Sequence, residues 1–590
     1  MLLTKMVNEQ ELIDQFKIGL AISLDKQVLD KCVNLCSKYG ISEEDFVNDW
    51  IAFSLSNSLD SEPTVNALQL LERKQLSSTL SHTPAKKIES KIYSPKVQKI
   101  TSSDDIVQSY LQNKTPQRNV ETINKRQLAS PQEDTTKRRQ ISNLNQSQFG
   151  SVSFNSDASE PSTKYNERTD SEAVQISFGD EEMLKKASWK GKSVLDVNIK
   201  LLKQLDSYKY MRSHVGANID VEVKTTNRLV FQIMMKNELT CTNRIDEVLV
   251  DESIFCGRLR KAIGESDEKV DLESHKRGSS YGKRMSLNFK NLQEYCLYPG
   301  QVVCFSGINP SGRKILPTKC FTDAPPPLPD TKLTFNEGSS LQIVIASGPY
   351  TLNDNIEYEP LNDFVNYIVR NKPDVVIMTG PFVDEEHERI ADGMLAETFN
   401  ELFERLIAGI MEPLAQLQTH VILIPSYQDA HHSPVYPTPP YKLRQHYPRL
   451  HLCPDPCQVN INGLIVAATS VDVIKHISSI ELCKPMTSDR IKRVATHLLS
   501  QRSIYPLSRE TSQVPLDSEL WKQLTHLDVV PHLMILPSKL KYFIKDIGEC
   551  IIINPEILGK GTKGGTFGRI EILNKNNSIT SNILGQIIKI

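Results

Sequence analysis

Residues 373–384 have the sequence PDVVIMTGPFVD and include a predicted strand over 373–378. The strand is apolar, as is typical of strands buried on both faces, and Gly380 with Pro381 ends it. Further runs of this kind alternate with stretches of helical periodicity. The other strands are predicted at 341–346, 421–424, 464–467, 530–536 and 550–553, and the helices at 364–370, 398–410 and 489–499. This alternation predicts a large layered α/β domain, in which a site is expected at the strand ends.

The residues that follow these strands decide whether the domain can hydrolyse phosphate esters. A layered α/β phosphoesterase of the calcineurin-like kind holds two cations about 3.5–4 Å apart, with Asp, Asn and His residues placed after successive strands. The matching positions here are Ser347, Pro349, Pro381, Asp384, Ser426, Asp429 and Ser538. Proline offers no metal ligand, and only two carboxylates are kept. We therefore expect an inactivated phosphoesterase-like domain with no catalytic residue, no bound metal and no cofactor.

Asp429, His431 and His432 form the strongest remaining argument for a metal. Adjacent histidines point apart on an extended segment, and the prolines from Pro434 onward stiffen the loop. Loop packing or contact with a partner is the expected role of these residues. A residual metal-dependent phosphodiesterase or exonuclease stays the alternative to an inactive domain.

A helical stretch and then a series of short predicted strands precede this domain. The strands lie at 251–263, 270–275, 285–289, 301–306 and 314–322. Their number and length predict a small Greek-key β-barrel of the OB type. Residues 307–314 resemble a phosphate-binding loop, but strands flank them, so a hairpin turn is expected. Aromatic residues are few on these strands, which favours a scaffolding barrel and leaves single-strand DNA binding as an alternative.

The N-terminal part of the chain changes character near residue 76. Before it, apolar residues such as Leu29, Cys32 and Cys36 recur at the helical period and predict a small helical bundle, most simply an interaction module. Residues 76–150 contain 18 Ser or Thr, and 12 Lys or Arg against 6 Asp or Glu. Because apolar residues are scarce here, we expect a disordered Ser/Thr-rich linker over 78–188.

The linker contains candidate phosphorylation sites. Thr83 and Thr115 each begin the pattern Thr-Pro-x-basic that proline-directed cell-cycle kinases favour, and Ser94 and Ser130 also precede proline. Each phosphate adds about −1.5 to −2 charge to this basic tract. The sequence therefore predicts a phosphoprotein, and the basic cluster at 137–139 is of the kind that serves nuclear import.

The overall composition excludes several classes of protein. The chain has 590 residues, too many for one hydrophobic core, so about three or four domains are expected. The 69 Lys and Arg against 71 Asp and Glu leave a net charge of −2 and no global basic field for nucleic acid. The 11 scattered cysteines indicate free thiols in a reducing compartment. No apolar run of 18 residues and no secretory start are present, so no membrane association is expected.

Eight short motifs follow one another between residues 297 and 567. They are LYPGQVV at 297–303, GIN at 307–309, GRK at 312–314, ASGPYT at 346–351, GPFVD at 380–384, DAHHSPVYP at 429–437, QRSIYPL at 501–507 and GGTF at 564–567. With these motifs in this order, the chain resembles the family of DNA polymerase alpha B subunits. The helical start and the Ser/Thr-rich linker fit the same architecture.

The resemblance implies a multidomain α+β protein that acts as an accessory and regulatory scaffold and is not an enzyme. The expected domains are a helical interaction domain at 1–77, the linker at 78–188, an OB-fold domain at 189–328 and the inactivated phosphoesterase-like domain at 329–590. The last two are expected to bind the C-terminal, zinc-binding domain of the catalytic subunit of DNA polymerase alpha.

The same resemblance implies a place in a nuclear complex with the small and large primase subunits. That complex makes RNA–DNA primers at initiation and on the lagging strand, and this chain is expected to contact DNA only indirectly. The N-terminal helical domain is expected to bind other replication proteins.

Overall fold

The computed structural model describes most of the second half of the chain and parts of the first. The described residues are 12, 16, 25–39, 46–47, 50, 53, 63–72, 162–191, 196–204, 207–210, 212, 215–240, 244–262, 270–274, 282–393, 395–485, 489–507, 514–575 and 578–590. They belong to two compact units, residues 1–136 and 137–590. Thr83, Ser94, Thr115 and Ser130, with most of the predicted linker, lie outside the described residues.

The first unit is helical where it is described. Helix α1 spans Lys26–Tyr39 and helix α2 spans Val65–Leu71. Thr64 caps α2, since its hydroxyl accepts a hydrogen bond from the backbone N–H of Ala67. The apolar stripes predicted from the sequence form one interior, which contains Leu12, Phe16, Cys32, Leu35, Cys36, Phe46, Trp50 and Leu68. The exact number of helices in this bundle stays a prediction.

The second unit contains the other helices whose bounds are described and all of the described strands. In chain order its elements are α3 (Thr163–Asn166), β1 (Val174–Phe178), α4 (Glu181–Lys186), β2 (Ile199–Leu201), α5 (Val215–Lys236), β3 (Leu249–Lys261), β4 (Val270–Ser274), β5 (Arg284–Leu287), β6 (Tyr295–Leu297), β7 (Val302–Asn309), β8 (Lys314–Phe321), β9 (Ser340–Ser347), α6 (Glu359–Asn371), β10 (Val375–Thr379), α7 (Glu388–Ala391), α8 (Phe399–Leu414), β11 (His420–Ile424), β12 (Leu450–Leu452), β13 (Cys457–Ile461), β14 (Leu464–Ala468), α9 (Val473–Ile480), β15 (Leu482–Lys484), α10 (Arg490–Ser500), α11 (Ser518–Thr525), β16 (Leu533–Ile535), β17 (Phe543–Asp546), β18 (Ile551–Asn554), β19 (Thr566–Leu573) and β20 (Ile583–Lys589). Short 3₁₀ helices lie at Phe289–Asn291 and Thr580–Asn582.

The α/β part is built on two stacked sheets. One has the strand order β1-β20-β19-β9-β10-β11-β12 and the other β17-β18-β16-β14-β13-β2. Strands β9 to β12 run parallel to one another, and so do β14, β16 and β18. Their carboxyl ends therefore collect polar loops in one region. The layered α/β prediction is confirmed.

Alternate residues of the central strands enter different cores, which explains why the strands are apolar throughout. Ile343 and Ile345 pack in the core between the sheets, whereas Val344 and Ala346 pack in the core that includes residues of α6 and α8. A third core joins the second sheet to α9, α10 and α11. With both faces covered, a polar residue within these strands has no solvated side to occupy.

Strands β3, β4, β5, β8 and β7 form a closed barrel with the five strands that the sequence predicts. Its interior is apolar and contains Phe255 and Phe305, both fully buried. Helix α5 packs across β7 and β3. Strand β6 pairs antiparallel with β15, an element of the α/β part, and thereby ties the barrel to it.

The linker prediction is wrong for residues 162–188, which are structured. Strand β1 pairs with β20 at the edge of the first sheet, and Tyr165 is buried against the end of the chain. The Ser162 hydroxyl donates to Asp354 at 2.7 Å. Averaged composition misled the prediction, because an edge strand and one buried tyrosine need few apolar residues. Strand β2 pairs with β13, so it too belongs to the α/β part although it precedes the barrel.

None of the helices in the described part of the chain is both long enough and apolar enough to cross a membrane.

Candidate functional site: the cleft at the strand ends

A cleft of about 430 Å³ opens where the strands β9, β10, β14 and β16 end. It is lined by five of the seven predicted positions, namely Ser347, Pro349, Pro381, Asp384 and Ser538. A neighbouring cavity, also of about 430 Å³, shares the wall formed by Asp384, Glu386 and Lys539. Ser426 and Asp429 lie behind the cleft wall, where both are buried. The fold thus brings together most of the predicted positions, at the place where a hydrolase would hold its metals.

Asp429 uses both carboxylate oxygens inside the protein. Its Oδ1 accepts hydrogen bonds from the backbone N–H groups of Phe382 at 2.6 Å and Val383 at 3.0 Å. Its Oδ2 accepts from the backbone N–H of Ser426 at 3.0 Å and from the Tyr441 hydroxyl. Burial raises the pKa of Asp429 to about 6, although these hydrogen bonds act to lower it. Asp429 therefore joins the loops after β10 and β11.

His431 and His432 do not converge on a common point. The His431 ring lies between the rings of Phe403 and Tyr441, with centroid distances of 4.0 and 5.4 Å. Among the described residues neither His431 nitrogen has a hydrogen-bond partner. Burial, with a smaller effect of His432, lowers the pKa of His431 to about 3, so the ring is neutral at pH 7. The Nε2 of His432 lies 2.7 Å from the carbonyl oxygen of Pro439.

The polar groups on the cleft wall bond to one another. Asp384 Oδ1 accepts from the backbone N–H of Glu386, and burial raises the pKa of the Asp384 carboxyl. Asp472 caps α9, and its Oδ2 accepts from the Ser538 hydroxyl at 2.9 Å and from the Lys539 N–H at 3.1 Å. Lys539 Nζ also pairs with Glu386 at 2.9 Å. These bonds join the loops after β10, β14 and β16.

Asp472 and Lys539 were missed by the sequence reasoning. Asp472 lies four residues beyond the end of β14, and Lys539 lies four residues beyond β16. Both strands were predicted, so attention to the residues after every strand would have found them. Asp455, fully buried and bonded to the Ser470 N–H and hydroxyl, had no such signal because β12, the strand that ends three residues before it, was not predicted.

The residues of the cleft do not fit a two-cation site. Of the positions that would supply ligands, Ser347 pairs its hydroxyl with that of Thr379 at 2.6 Å, and Asp429 is engaged behind the wall. The side chains of Pro349 and Pro381 have no donor atom for a metal. Within the described parts of the chain, no group of three or more His, Cys, Asp or Glu side chains converges in this cleft.

One such group does converge elsewhere, where β6 meets β15. Cys296 Sγ lies 3.0 Å from Glu481 Oε1 and 3.4 Å from His497 Nε2. Gln301 Oε1 accepts from the Tyr298 N–H, so its amide NH₂ faces His497 Nδ1 at 3.4 Å and donates to it. The ring proton is then on Nε2, the atom that would have to bind a metal.

The Glu481 carboxylate of this group already has a cationic partner. Arg493 forms an ion pair with Glu481 at 2.9 Å. Burial acts to raise the pKa of Glu481, but hydrogen bonds from His497, Arg493 and Cys296 hold it at about 2. The group is a hydrogen-bond network between the barrel and the α/β part, and it does not fit a metal.

Together, fold and cleft define a class of protein: a phosphoesterase-like α/β body joined to an OB barrel, with loop-to-loop bonds where metal ligands would stand. Three family models match the chain. One describes the B subunit of DNA polymerases alpha and epsilon and matches residues 343–545. The other two describe the N-terminal region and the OB domain of the DNA polymerase alpha B subunit, and they match residues 10–77 and 246–323.

Similar proteins, each named as the B subunit of DNA polymerase alpha, occur in several organisms. The one from Mus musculus is 31% identical over 583 residues, which cover 96% of this chain and 95% of the relative. The one from Drosophila melanogaster is 29% identical over 601 residues, covering 95% and 96%. The one from Schizosaccharomyces pombe is 31% identical over 351 residues, covering 56% and 59%. The chain belongs to the family of DNA polymerase alpha B subunits, which confirms the resemblance.

Proposed function

We propose that this chain is a non-catalytic scaffold subunit of a DNA polymerase alpha–primase complex. One observation carries the proposal: Asp429, a strand-end carboxylate at a position where a metallophosphoesterase would hold its metals, accepts four hydrogen bonds from the loops after β10 and β11. These bonds hold the loops in place without a cation. The cleft residues Ser347, Pro349, Pro381, Asp384 and Ser538, with Ser426 and Asp429, are then positions of a lost metal site, and no metal or other cofactor is needed.

The proposed division of labour follows the architecture. Residues 1–77 form a helical module for other replication proteins, and a tether connects it to the barrel and the α/β body. With the correction at its C-terminal end, the tether spans about 78–161. The barrel and the α/β body, nominally 189–328 and 329–590, bind the C-terminal zinc-binding domain of the catalytic subunit. The strand pair of β6 with β15 supports this proposal, because it makes the two parts one platform.

The proposed complex is nuclear, contains the small and large primase subunits, and brings this chain to DNA only through its partners. Regulation through Thr83, Thr115, Ser94 and Ser130 belongs to the same proposal. Mass spectrometry of the chain after incubation in mitotic extract tests it. Phosphate on Thr83 and Thr115 is expected, and its absence from both would contradict cell-cycle regulation.

Co-purification tests the scaffold role directly. Co-expressed with the C-terminal domain of the catalytic subunit, the chain should elute with it as one stoichiometric species at high salt. Persistence at high salt is expected because obligate interfaces rely on buried apolar area more than on exposed charge. Elution of the two chains as separate species would overturn the proposal.

Assays for phosphodiester hydrolysis with Mn²⁺ test the enzymatic alternative. Asp384→Asn and Asp472→Asn are the suitable variants, since both carboxylates line the cleft. We expect no turnover by the purified chain. Turnover that is abolished by Asp384→Asn or Asp472→Asn while folding is unchanged would establish a residual phosphodiesterase.

Single-strand DNA binding by the barrel finds little support in its aromatic residues. Phe255 and Phe305 are fully buried in the barrel core, and Phe289 packs against Tyr295 with ring centroids 4.8 Å apart. None of them is presented as a stacking platform. A flat titration with labelled single-stranded DNA at low salt is therefore expected from the isolated chain.

A further inference from the structure

A small basic pocket lies where helix α5 of the barrel meets helix α11 of the α/β body. Its walls include Arg228 from α5, Lys522 from α11, Arg502 from the turn after α10, and His526. The cavity measures about 20 Å³, which is room for one water-sized group. No residue of the strand-end cleft takes part in it.

Three of the arginines and lysines that line this pocket lack anionic partners, whereas a fourth, Arg258, pairs with Glu222 at 3.8 Å. Among the described residues Arg228 has no hydrogen bond and no ion pair, and its Nε is buried. Lys522 likewise has no partner there. Arg502 donates to the carbonyl oxygens of Ala324 and Pro325, which are neutral acceptors. Buried donors are nearly always paired, so an unpaired guanidinium Nε indicates that an acceptor is missing.

The local electrostatics agree with a missing anion. Burial and then repulsion from Arg228 lower the pKa of both Arg502 and Lys522. Burial lowers the pKa of His526 to about 4, with further lowering by Arg228 and Lys203. The one nearby carboxylate among the groups acting on Arg228 is Asp528, which already pairs with Lys203 at 3.0 Å.

The outer face of α5 continues the pocket with apolar side chains. Lys224, Arg228, Phe231 and Met235 are spaced by four, three and four residues, so they lie within about 60° of one another around the helix axis. Phe231 is 62% exposed and Met235 is 65% exposed. This face therefore begins with two cations and ends with two exposed apolar residues.

We propose that the pocket and this face of α5 bind an acidic peptide segment of a partner protein. One carboxylate of the segment enters the pocket between Arg228 and Lys522, and apolar side chains next to it cover Phe231 and Met235. The cavity has room for an oxygen of one carboxylate but not for a row of nucleic-acid phosphates. The exposed side chains of Phe231 and Met235 are apolar and would not bind a charged sugar–phosphate backbone. This inference concerns a surface other than the cleft and does not depend on the proposed scaffold role.

Fluorescence anisotropy with the full chain tests the proposal. The probe is a fluorescein-labelled 16-residue peptide with Glu and Leu on one helical face, and its counterpart has Gln in place of every Glu. The Glu peptide should bind more weakly as salt rises, and the Gln peptide should not bind measurably. Arg228→Gln and Lys522→Gln should each weaken binding about tenfold or more. The matched control Lys290→Gln, which removes an exposed charge from the barrel, should change it less than about twofold.

Thermal unfolding separates a binding role from a structural one. In the absence of peptide, Arg228→Gln should leave the melting temperature unchanged or raise it, because it removes a half-buried charge whose buried Nε has no hydrogen-bond partner. Phe231→Ser should weaken peptide binding and leave the melting temperature unchanged, since the side chain is exposed. A fall of several degrees with Arg228→Gln would show that the arginine is structural and overturn the proposal. The proposal would also be overturned if the Glu peptide did not bind or if Arg228→Gln left its binding unchanged. It would be overturned as well if single-stranded DNA, or a phosphoserine form of the Gln peptide, displaced the labelled peptide at a lower concentration than the unlabelled Glu peptide does.

Discussion

Replacing Asp429 tests whether its carboxylate has become a structural element. Asp429→Ala leaves the N–H groups of Phe382, Val383 and Ser426 and the hydroxyl of Tyr441 without their acceptor. An unsatisfied buried donor costs about 1–3 kcal/mol, so four of them amount to roughly 4 kcal/mol or more even if the loops relax. Losses of this size are exceptional for single substitutions. Asp429→Asn keeps one oxygen and should cost about half as much.

Hydrogen exchange measures this effect where it arises. The backbone amides of Phe382, Val383 and Ser426 should exchange much faster in Asp429→Ala, since the free energy for local opening falls by the calculated amount. Asp384→Asn is the matched control, because Asp384 accepts a single backbone hydrogen bond and Asn keeps an acceptor for it. Its effect should stay below about 1 kcal/mol.

Two outcomes would refute the reasoning about Asp429. Unchanged exchange at Phe382 and Val383 in Asp429→Ala would mean that the observed hydrogen bonds contribute little. A larger effect of Asp384→Asn than of Asp429→Ala would place the structural carboxylate in the cleft and not behind it. Either result would reopen the possibility that Asp429 is kept for a ligand.

Three further predictions concern other parts of the second unit. His431→Phe should make the free energy of unfolding less dependent on pH. The pKa of His431 in the folded chain is about 3, below the unfolded value, so His431 stabilises the fold above about pH 6.5. Acidification removes this stabilisation, by about 2 kcal/mol at pH 5, and urea titrations measure the loss. Tyr165→Ala removes a fully buried aromatic and should cost about 3–5 kcal/mol locally, exposing residues 162–178 to limited proteolysis; resistance there would restore the linker interpretation. Glu481→Gln should destabilise the α/β part beside β15 by about 3 kcal/mol, because it removes the charge that pairs with Arg493, and faster exchange in β15 and in its partner strand β6 is the measurement.

The apolar strands made the central fold predictable. In β9 to β11 both faces are buried, so apolar residues follow one another along most of each strand and mark its length. The predicted runs agree with the observed strands to within two residues. Strand β1 gave no such signal, since it lies at the edge of its sheet and its residues are mostly exposed. Its place is fixed by pairing with β20, more than 400 residues away in the chain, which no local pattern contains.

The candidate site was predictable in position but not in its bonds. Parallel strands end at one edge, so Ser347, Asp384 and Ser538 were expected to lie together, and they do. That Asp429 turns away from the cleft depends on the hydroxyl of Tyr441, which lies 12 residues further along the same loop, where no strand rule places it. The basic pocket could not be predicted from the sequence either, because Arg228 and Lys522 come from helices that are almost 300 residues apart in the chain.

In the proposed scaffold, the loss of the metals and the gain of a platform are connected through the loops at the strand ends. In a metallophosphoesterase the cations hold these loops together, because each loop supplies ligands to a common centre. Here the same loops are joined by Asp429 to backbone amides, by Asp472 to Ser538, and by Glu386 to Lys539. Loops without such cross-links and without cations would be free to move, and a partner would then have to order them at an entropic cost. Removing the cations while keeping the loops fixed therefore preserves a preorganised surface, and this is the property that a scaffold subunit requires.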